Sequence, residues 1–190
     1  MKRLAICIAA VVAALSAFAS TASATTVTSD SGTTPTIHAE SEGAITIHGP
    51  VDITCTSSTF EGKVESHGSG VTAKGNVGKL TFTSCGTNHV AVLSPGSLEI
   101  HGTSTTGNGT VTSTGVEISV LVTTLGITCV YSTPKATHIG TLTGAPSGGK
   151  ATLHIDDALI PRTGGSVFCG PSGEWTGSYR ITSPLGLQVH

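Results

Sequence analysis

Residues 116–122 read Val-Glu-Ile-Ser-Val-Leu-Val, and a branched aliphatic side chain occupies every even-numbered position of this run. The polar residues Glu117 and Ser119 lie between them. Successive side chains of a β-strand point to opposite faces of its sheet, so this alternation predicts a strand with one face against a core. An amphipathic helix would space its apolar residues three and four positions apart. The run therefore indicates a half-buried antiparallel strand.

The same period of two recurs along most of the chain. Shorter alternating runs, each with one apolar face, are found at 45–48, 80–83, 98–101 and 152–156. Turn-forming clusters of Gly, Pro and Asn fall at 49–50, 75–76, 95–96, 107–109, 148–149 and 164–165. We predict an all-β chain of about ten to fourteen short strands, since turn signals at this spacing are typical of β-sandwiches. The expected architecture is an antiparallel two-sheet sandwich, jelly-roll-like, with a β-barrel as the alternative.

The first 24 residues have the features of a secretory signal peptide. Lys2 and Arg3 precede an apolar stretch over 4–18, and Ala22-Ser23-Ala24 offers a cleavage site. The stretch is too short for a stable membrane span, although an uncleaved anchor is the alternative. We therefore expect a secreted, extracellular or cell-surface protein without a membrane span after cleavage.

The remaining chain divides into two predicted parts. Residues 25–36 are rich in Thr and Ser without periodicity, which predicts a flexible leader or a strand that adds to a neighbouring molecule. Residues 37–190 have the length of a single β-sandwich domain with a core of its own.

Charge excludes some classes of partner. Without Lys2 and Arg3, seven basic residues remain against eleven acidic ones, a formal charge of about −4. Nucleic acids and anionic lipids are bound by clusters of positive charge, so we expect no nucleic-acid partner.

Four cysteines remain after Cys7 is removed with the signal peptide, and an even number in an exported chain predicts two disulfides. The segment Ile53-Thr54-Cys55 is echoed by Ile127-Thr128-Cys129, and each is followed by a Cys-Gly pair. This weak duplication favours the pairs Cys55–Cys85 and Cys129–Cys169 among three connectivities. Each should stabilise the fold by roughly 3 to 4 kcal/mol through loop closure. A zinc site is the alternative, but no CxxC spacing supports it.

No catalytic, metal or cofactor motif stands out, and we predict a non-enzymatic protein without a cofactor. The histidines form no HxH, HxxxH or HExxH pattern, and there is no GxSxG element. Asp156-Asp157 is a carboxylate pair, but neighbours on a strand point to opposite faces unless a bulge intervenes.

The most distinctive segment is 169–179, which reads Cys-Gly-Pro-Ser-Gly-Glu-Trp-Thr-Gly-Ser-Tyr. Trp175 and Tyr179 share one phase of a strand. An outward Trp/Tyr pair would form a candidate ligand surface for a glycan or hydrophobic compound. The alternative, which we favour, places Trp175 in the core against the Cys129–Cys169 bridge.

These features together resemble a known group of proteins. The chain has a signal peptide, two Ile-Thr-Cys segments with their Cys-Gly partners, then Glu-Trp-Thr-Gly-Ser-Tyr and Thr-Ser-Pro. This order looks like small secreted β proteins found as large paralogous sets in soil bacteria. It is more distantly similar to the exported alkane-oxidation activator (PraB-like) family, whose members are associated with the cell surface and matrix. The resemblance implies export and a surface role, and it carries no site residues.

Our leading prediction is therefore a structural or interaction protein of matrix, fibre or adhesion type. It would self-associate or bind a cell-surface or matrix partner. The alternatives are an extracellular binding module for a hydrophobic compound or glycan, and a hydrolase with an unmarked site.

Overall fold

The computed structural model describes residues 25–67, 72–103 and 107–190, and the predicted signal peptide lies outside them. Within these ranges nearly all regular structure is strand, and the helical element is a single 3-10 turn, Val167–Cys169. The strands are β1 Val27–Thr28, β2 Thr36–Ser41, β3 Ile45–His48, β4 Ile53–Cys55, β5 Ser57–His67, β6 Ala73–Thr83, β7 His89–Gly102, β8 Gly109–Val122, β9 Ile127–Ser132, β10 Thr137–Thr143, β11 Thr152–Gly165, β12 Ser172–Ser183 and β13 Gln188–Val189. The prediction of an all-β fold is confirmed.

Residues 116–122, with their alternating apolar side chains, form the second half of β8. Val116, Ile118, Val120 and Val122 are buried there, as the alternation predicts. The strand pairs antiparallel with β7 along nearly its whole length. On its other side it pairs with β10 through residues 109–113 and with β9 through residues 117–122.

The strand pairings close on themselves at one end of the molecule. They run β12–β2–β5–β6–β7–β8–β10–β11 and return from β11 to β12, with every pair antiparallel. The hairpin of β3 and β4 extends the sheet from the other half of β12. This fold encloses one core and combines the layered packing of a sandwich with a barrel-like closure.

Several glycines that the sequence pattern placed in turns lie inside long strands instead. Gly96, in the middle of β7, has φ of 65°. Gly115 of β8, which lies across from it between the paired residues on either side, has φ of 75°. A side chain at Gly96 would collide with backbone atoms of 114–116. Both positions allow the paired strands to bend together, because glycine adopts positive φ without a steric penalty. The strands are consequently longer than predicted.

The predicted flexible leader is partly wrong. Val27–Thr28 forms a strand against Gln188–Val189 of β13, and Val27 is fully buried. Backbone amides of Thr26 and His190 each donate to the other residue's carbonyl oxygen, at 2.8 and 2.9 Å. A short polar segment is ordered here because its one aliphatic side chain fills an apolar site.

Both predicted disulfides are confirmed. Cys55 of β4 is joined to Cys85, and Cys129 of β9 is joined to Cys169 in the 3-10 turn. All four cysteines are buried. Each bridge ties a strand to a connecting segment.

Candidate functional site

Trp175 and Tyr179 lie in the core, where the favoured alternative placed Trp175, and they do not form an outward ligand surface. Trp175 is 6% exposed and Tyr179 is fully buried. The indole packs edge-to-face with the rings of Phe82 and Tyr179, and Tyr179 packs in the same way on Phe60. Their phase along β12 is the inward one, shared with buried Ile181.

A polar group is buried among these rings. The Ser58 hydroxyl donates to the carbonyl oxygen of Thr81 at 2.6 Å, and its oxygen lies 2.7 Å from the Tyr179 hydroxyl. Because Ser58 has only one proton and uses it on Thr81, the Tyr179 hydroxyl is the donor to Ser58. Burial raises the pKa of Tyr179 well above its usual value, with a smaller lowering effect from the Ser58 hydrogen bond.

Three apolar spaces formed by described core residues are too small for an organic ligand. They are all bordered by Phe60 and measure about 30, 20 and 30 Å³. A space of that size holds at most about one water molecule or methyl group. A larger hollow of about 100 Å³ lies on the outer face of β2 and β5 beside His38 and Glu61. The interior therefore gives no support to a binding module that encloses a hydrophobic compound.

The carboxylate pair is placed by a bulge. The β11–β12 register shifts between Ile155 and Ala158, and Asp157 has φ of 44°. Both Asp156 and Asp157 are consequently exposed, because the bulge interrupts the alternation of faces along the strand. Asp157 accepts a hydrogen bond from the Thr176 hydroxyl at 3.0 Å. Within 25–67, 72–103 and 107–190, no group of three His, Cys, Asp or Glu residues is arranged to hold a metal ion.

The feature with the clearest capacity for interaction is an open strand edge. β6 and β7 pair only between Ala73–Asn76 and Ser97–Ile100, and they diverge beyond this point. Residues 89–94 of β7 therefore pair with β8 on one side, and within the described chain they have no ladder partner on the other. We call this segment the β7 edge. Unpaired backbone groups of an edge strand are a template for another strand.

The β7 edge lacks the usual protection against such pairing. Its sequence is His-Val-Ala-Val-Leu-Ser, with no Asp, Glu, Lys or Arg. Val90 and Val92 pack against the core, whereas Ala91 and Leu93 face outward, and Leu93 is 56% exposed. Natural edge strands commonly carry a charge, especially Lys, that blocks pairing with a second chain. Within this edge the protection is a single register shift between Val92 and Ser94.

A second exposed apolar feature lies in the 3-10 turn. Val167 is 78% exposed and Phe168 is 76% exposed. The turn is fixed at both ends, because the Ser166 hydroxyl accepts from the Phe168 amide and Cys169 is held by its disulfide. An exposed Phe side chain on a backbone turn held in this way is a typical anchor for a protein partner.

Sequence reasoning missed both features. The run at 89–94 lacks charge, but its pattern does not distinguish an edge strand from a central one. The apolar pair at 167–168 precedes a cysteine and is indistinguishable in sequence from a core segment.

Comparison with protein-family models, characterised proteins and solved structures gave no match to this chain. In the part of the chain that the structure describes, no helix is long and apolar enough to cross a membrane. Two disulfides fit an oxidising, extracellular environment.

Proposed function

We propose that this chain is a non-enzymatic secreted or cell-surface protein that works by protein–protein contact, as a component of a matrix, fibre or adhesive layer. The observation that carries the proposal is the uncharged β7 edge. Export is supported by the predicted signal peptide and by the two disulfides. The surface role is what the resemblance to exported alkane-oxidation activators implies.

Contact through the β7 edge is favoured over the two alternatives. Trp175 and Tyr179, the residues that motivated a ligand-binding module, are buried in aromatic packing. Among the residues that the structure describes, the arrangement of the exposed acids and histidines does not favour a hydrolase. An edge of six residues supplies main-chain hydrogen bonds for a strand of any sequence, and Ala91 and Leu93 add apolar contact on the outer face.

The experiment compares self-association and cell-surface retention of residues 25–190 with those of Ala91→Lys. Ala91 is exposed on the β7 edge, so the lysine would lie at the centre of any added strand pair. Thr141→Lys is the matched control: Thr141 is exposed on β10 but paired on both sides, with Thr110 and His154.

The wild-type chain is expected to associate with rising concentration in light scattering and to be retained by host cell-surface fractions. Ala91→Lys should weaken the association about tenfold, which corresponds to ~1.4 kcal/mol. Thr141→Lys should leave it unchanged. A wild-type chain that stays monomeric and is not retained, or equal behaviour of the two variants, would contradict the proposal.

A further inference from the structure

The first described strand, β1, forms a two-stranded sheet with β13, and an isolated bridge joins Val189 of β13 to Gly107. The two residues of β1 pair with β13, and Val27 is fully buried. Val27 borders an apolar space together with Ile37 and Ile100, which belong to the main sheet. The strand thus fills a site whose other walls are made by distant parts of the chain.

That site is held in place without β1. On the far side of β13, the Val189 amide donates to the carbonyl oxygen of Gly107 at 3.0 Å. The Ala145 amide donates to the carbonyl oxygen of Leu187 at 2.9 Å. β13 is therefore attached to the body of the fold by its other edge, and removal of β1 would leave a preformed slot.

The connection between β1 and the rest of the molecule is exposed. Residues 30–34 are all exposed, and Pro35 then begins the path into β2. Gly32 has φ of 102°, and a local turn is closed by its amide, which donates to the carbonyl oxygen of Ser29. Asp30 is the last anchor before this connector, since its carboxylate accepts from the Gly148 amide at 2.9 Å. If the turn at 31–34 opened, residues 25–30 could extend away from the rest of their own molecule.

We propose that β1 exchanges between copies, so that residues 25–30 of one molecule occupy the slot beside β13 of another. The inference deepens the proposed function, on which it rests, by naming a second copy as the partner. The exchanged and closed forms contain the same contacts at the slot, so the balance between them depends on the connector and on concentration. A connector of this length gives the molecule's own strand an effective concentration on the order of 1 mM. Exchange therefore becomes substantial where the protein is densely packed, as in a matrix.

The test places a cysteine on each side of the slot. Thr28→Cys with Gln188→Cys introduces one pair at the directly opposed positions of β1 and β13. After incubation of residues 25–190 at a given concentration, rapid oxidation joins whichever strands are paired. A closed molecule gives an internal bridge, and an exchanged one gives a covalent dimer or chain on a non-reducing gel. Peptide mapping then identifies the bridge.

The control is Thr141→Cys with His154→Cys, which are opposed in the β10–β11 pair. These strands follow one another within the closed ring and should link internally at every concentration. For the β1–β13 pair, covalent oligomer should rise from a few per cent at roughly 20 µM to about half near 1 mM.

A second form of the experiment does not depend on the double variant. Equal amounts of Thr28→Cys and Gln188→Cys chains are mixed at roughly 1 mM and oxidised. A 28–188 heterodimer in excess of the 28–28 and 188–188 homodimers, which form by random collision, is expected if β1 of one molecule pairs with β13 of the other. Internal bridges alone, at the level of the control, together with no such excess of 28–188 heterodimer, would overturn the exchange. If light scattering still showed association sensitive to Ala91→Lys in that case, the proposed function would stand without it. Loss of both would refute both.

Discussion

The hydrogen bonds of the buried Ser58 and Tyr179 hydroxyls predict that removing one of the two hydroxyls costs more stability than removing the other. Tyr179 donates to Ser58, and Ser58 donates onward to Thr81. Tyr179→Phe removes one donor and leaves Ser58 with its bond to the Thr81 carbonyl. Ser58→Ala removes the middle of the chain and leaves the Tyr179 hydroxyl buried without an acceptor.

The two variants should therefore differ in stability. Tyr179→Phe loses one net hydrogen bond, which is worth about 1 kcal/mol. Ser58→Ala adds the cost of an unsatisfied buried hydroxyl, about 1 to 3 kcal/mol, so we expect a loss of about 2 to 3 kcal/mol. The double variant has no stranded hydroxyl, so it should lose less than the sum of the two single losses, by about 1 kcal/mol.

Unfolding in guanidinium chloride, followed by fluorescence, is a suitable assay, because Trp175 is the one tryptophan and packs edge-to-face on Tyr179. The control is Thr59→Ala, which removes a half-buried hydroxyl 2.7 Å from that of Thr81. Water can replace that partner, and the loss should be below about 1 kcal/mol. Equal losses for Ser58→Ala and Tyr179→Phe, or strictly additive losses in the double variant, would refute the assigned direction of the hydrogen bonds.

Three further predictions concern pH, the disulfides and the glycines. Burial raises the pKa of Tyr179 above the value of 10.0 for a free side chain, so its contribution to stability is fully present below pH 10 and is lost as the pH rises further. The loss is about 1.4 kcal/mol per pH unit in alkaline denaturation, and Tyr179→Phe should reduce that slope. Replacing Cys129 and Cys169 together by alanine should cost about 4 kcal/mol in chemical unfolding, as expected for closing a loop with a sequence separation of 40; a cost under 1 kcal/mol would contradict the loop-closure account. Gly165→Ala should cost more than about 3 kcal/mol in a thermal melt, because the new side chain collides with a backbone carbonyl at positive φ. Gly126→Ala, also at positive φ but in open space, should cost only about 1 kcal/mol, and equal costs would show that the close approach is unimportant.

The fold class followed from the sequence because its signal is local. A period of two over 116–122 needs no knowledge of partners, and the burial of Val116, Ile118, Val120 and Val122 confirms it. The disulfide pairing was also accessible, since the repeated Ile-Thr-Cys segments marked equivalent positions. The first inference depends on residues close together in the chain, and the second depends on a repeat that can be read from the sequence without knowledge of the fold.

What the sequence did not reveal depends on distant contacts. Pro95-Gly96 is a strong turn signal, yet β8 pairs with β7 on both sides of it and continues the strand through a bend. Residues 25–28 are too polar to be predicted as ordered from their own sequence. They are ordered because Val27 pairs with a strand at the far end of the chain. The β7 edge is defined by where β6 diverges from β7.

The pairing of β1 with β13 also determines how the molecule would respond to mechanical tension. Thr26 and His190 lie opposite each other at the same end of a short antiparallel ribbon. Force applied between the two ends of the described chain would open this ribbon one hydrogen bond at a time, as in unzipping, without shearing all of its bonds together. β1 would yield at low force and release a few residues of length, while the closed ring of strands stayed intact. A layer of such molecules would stretch slightly before any of its domains unfolded.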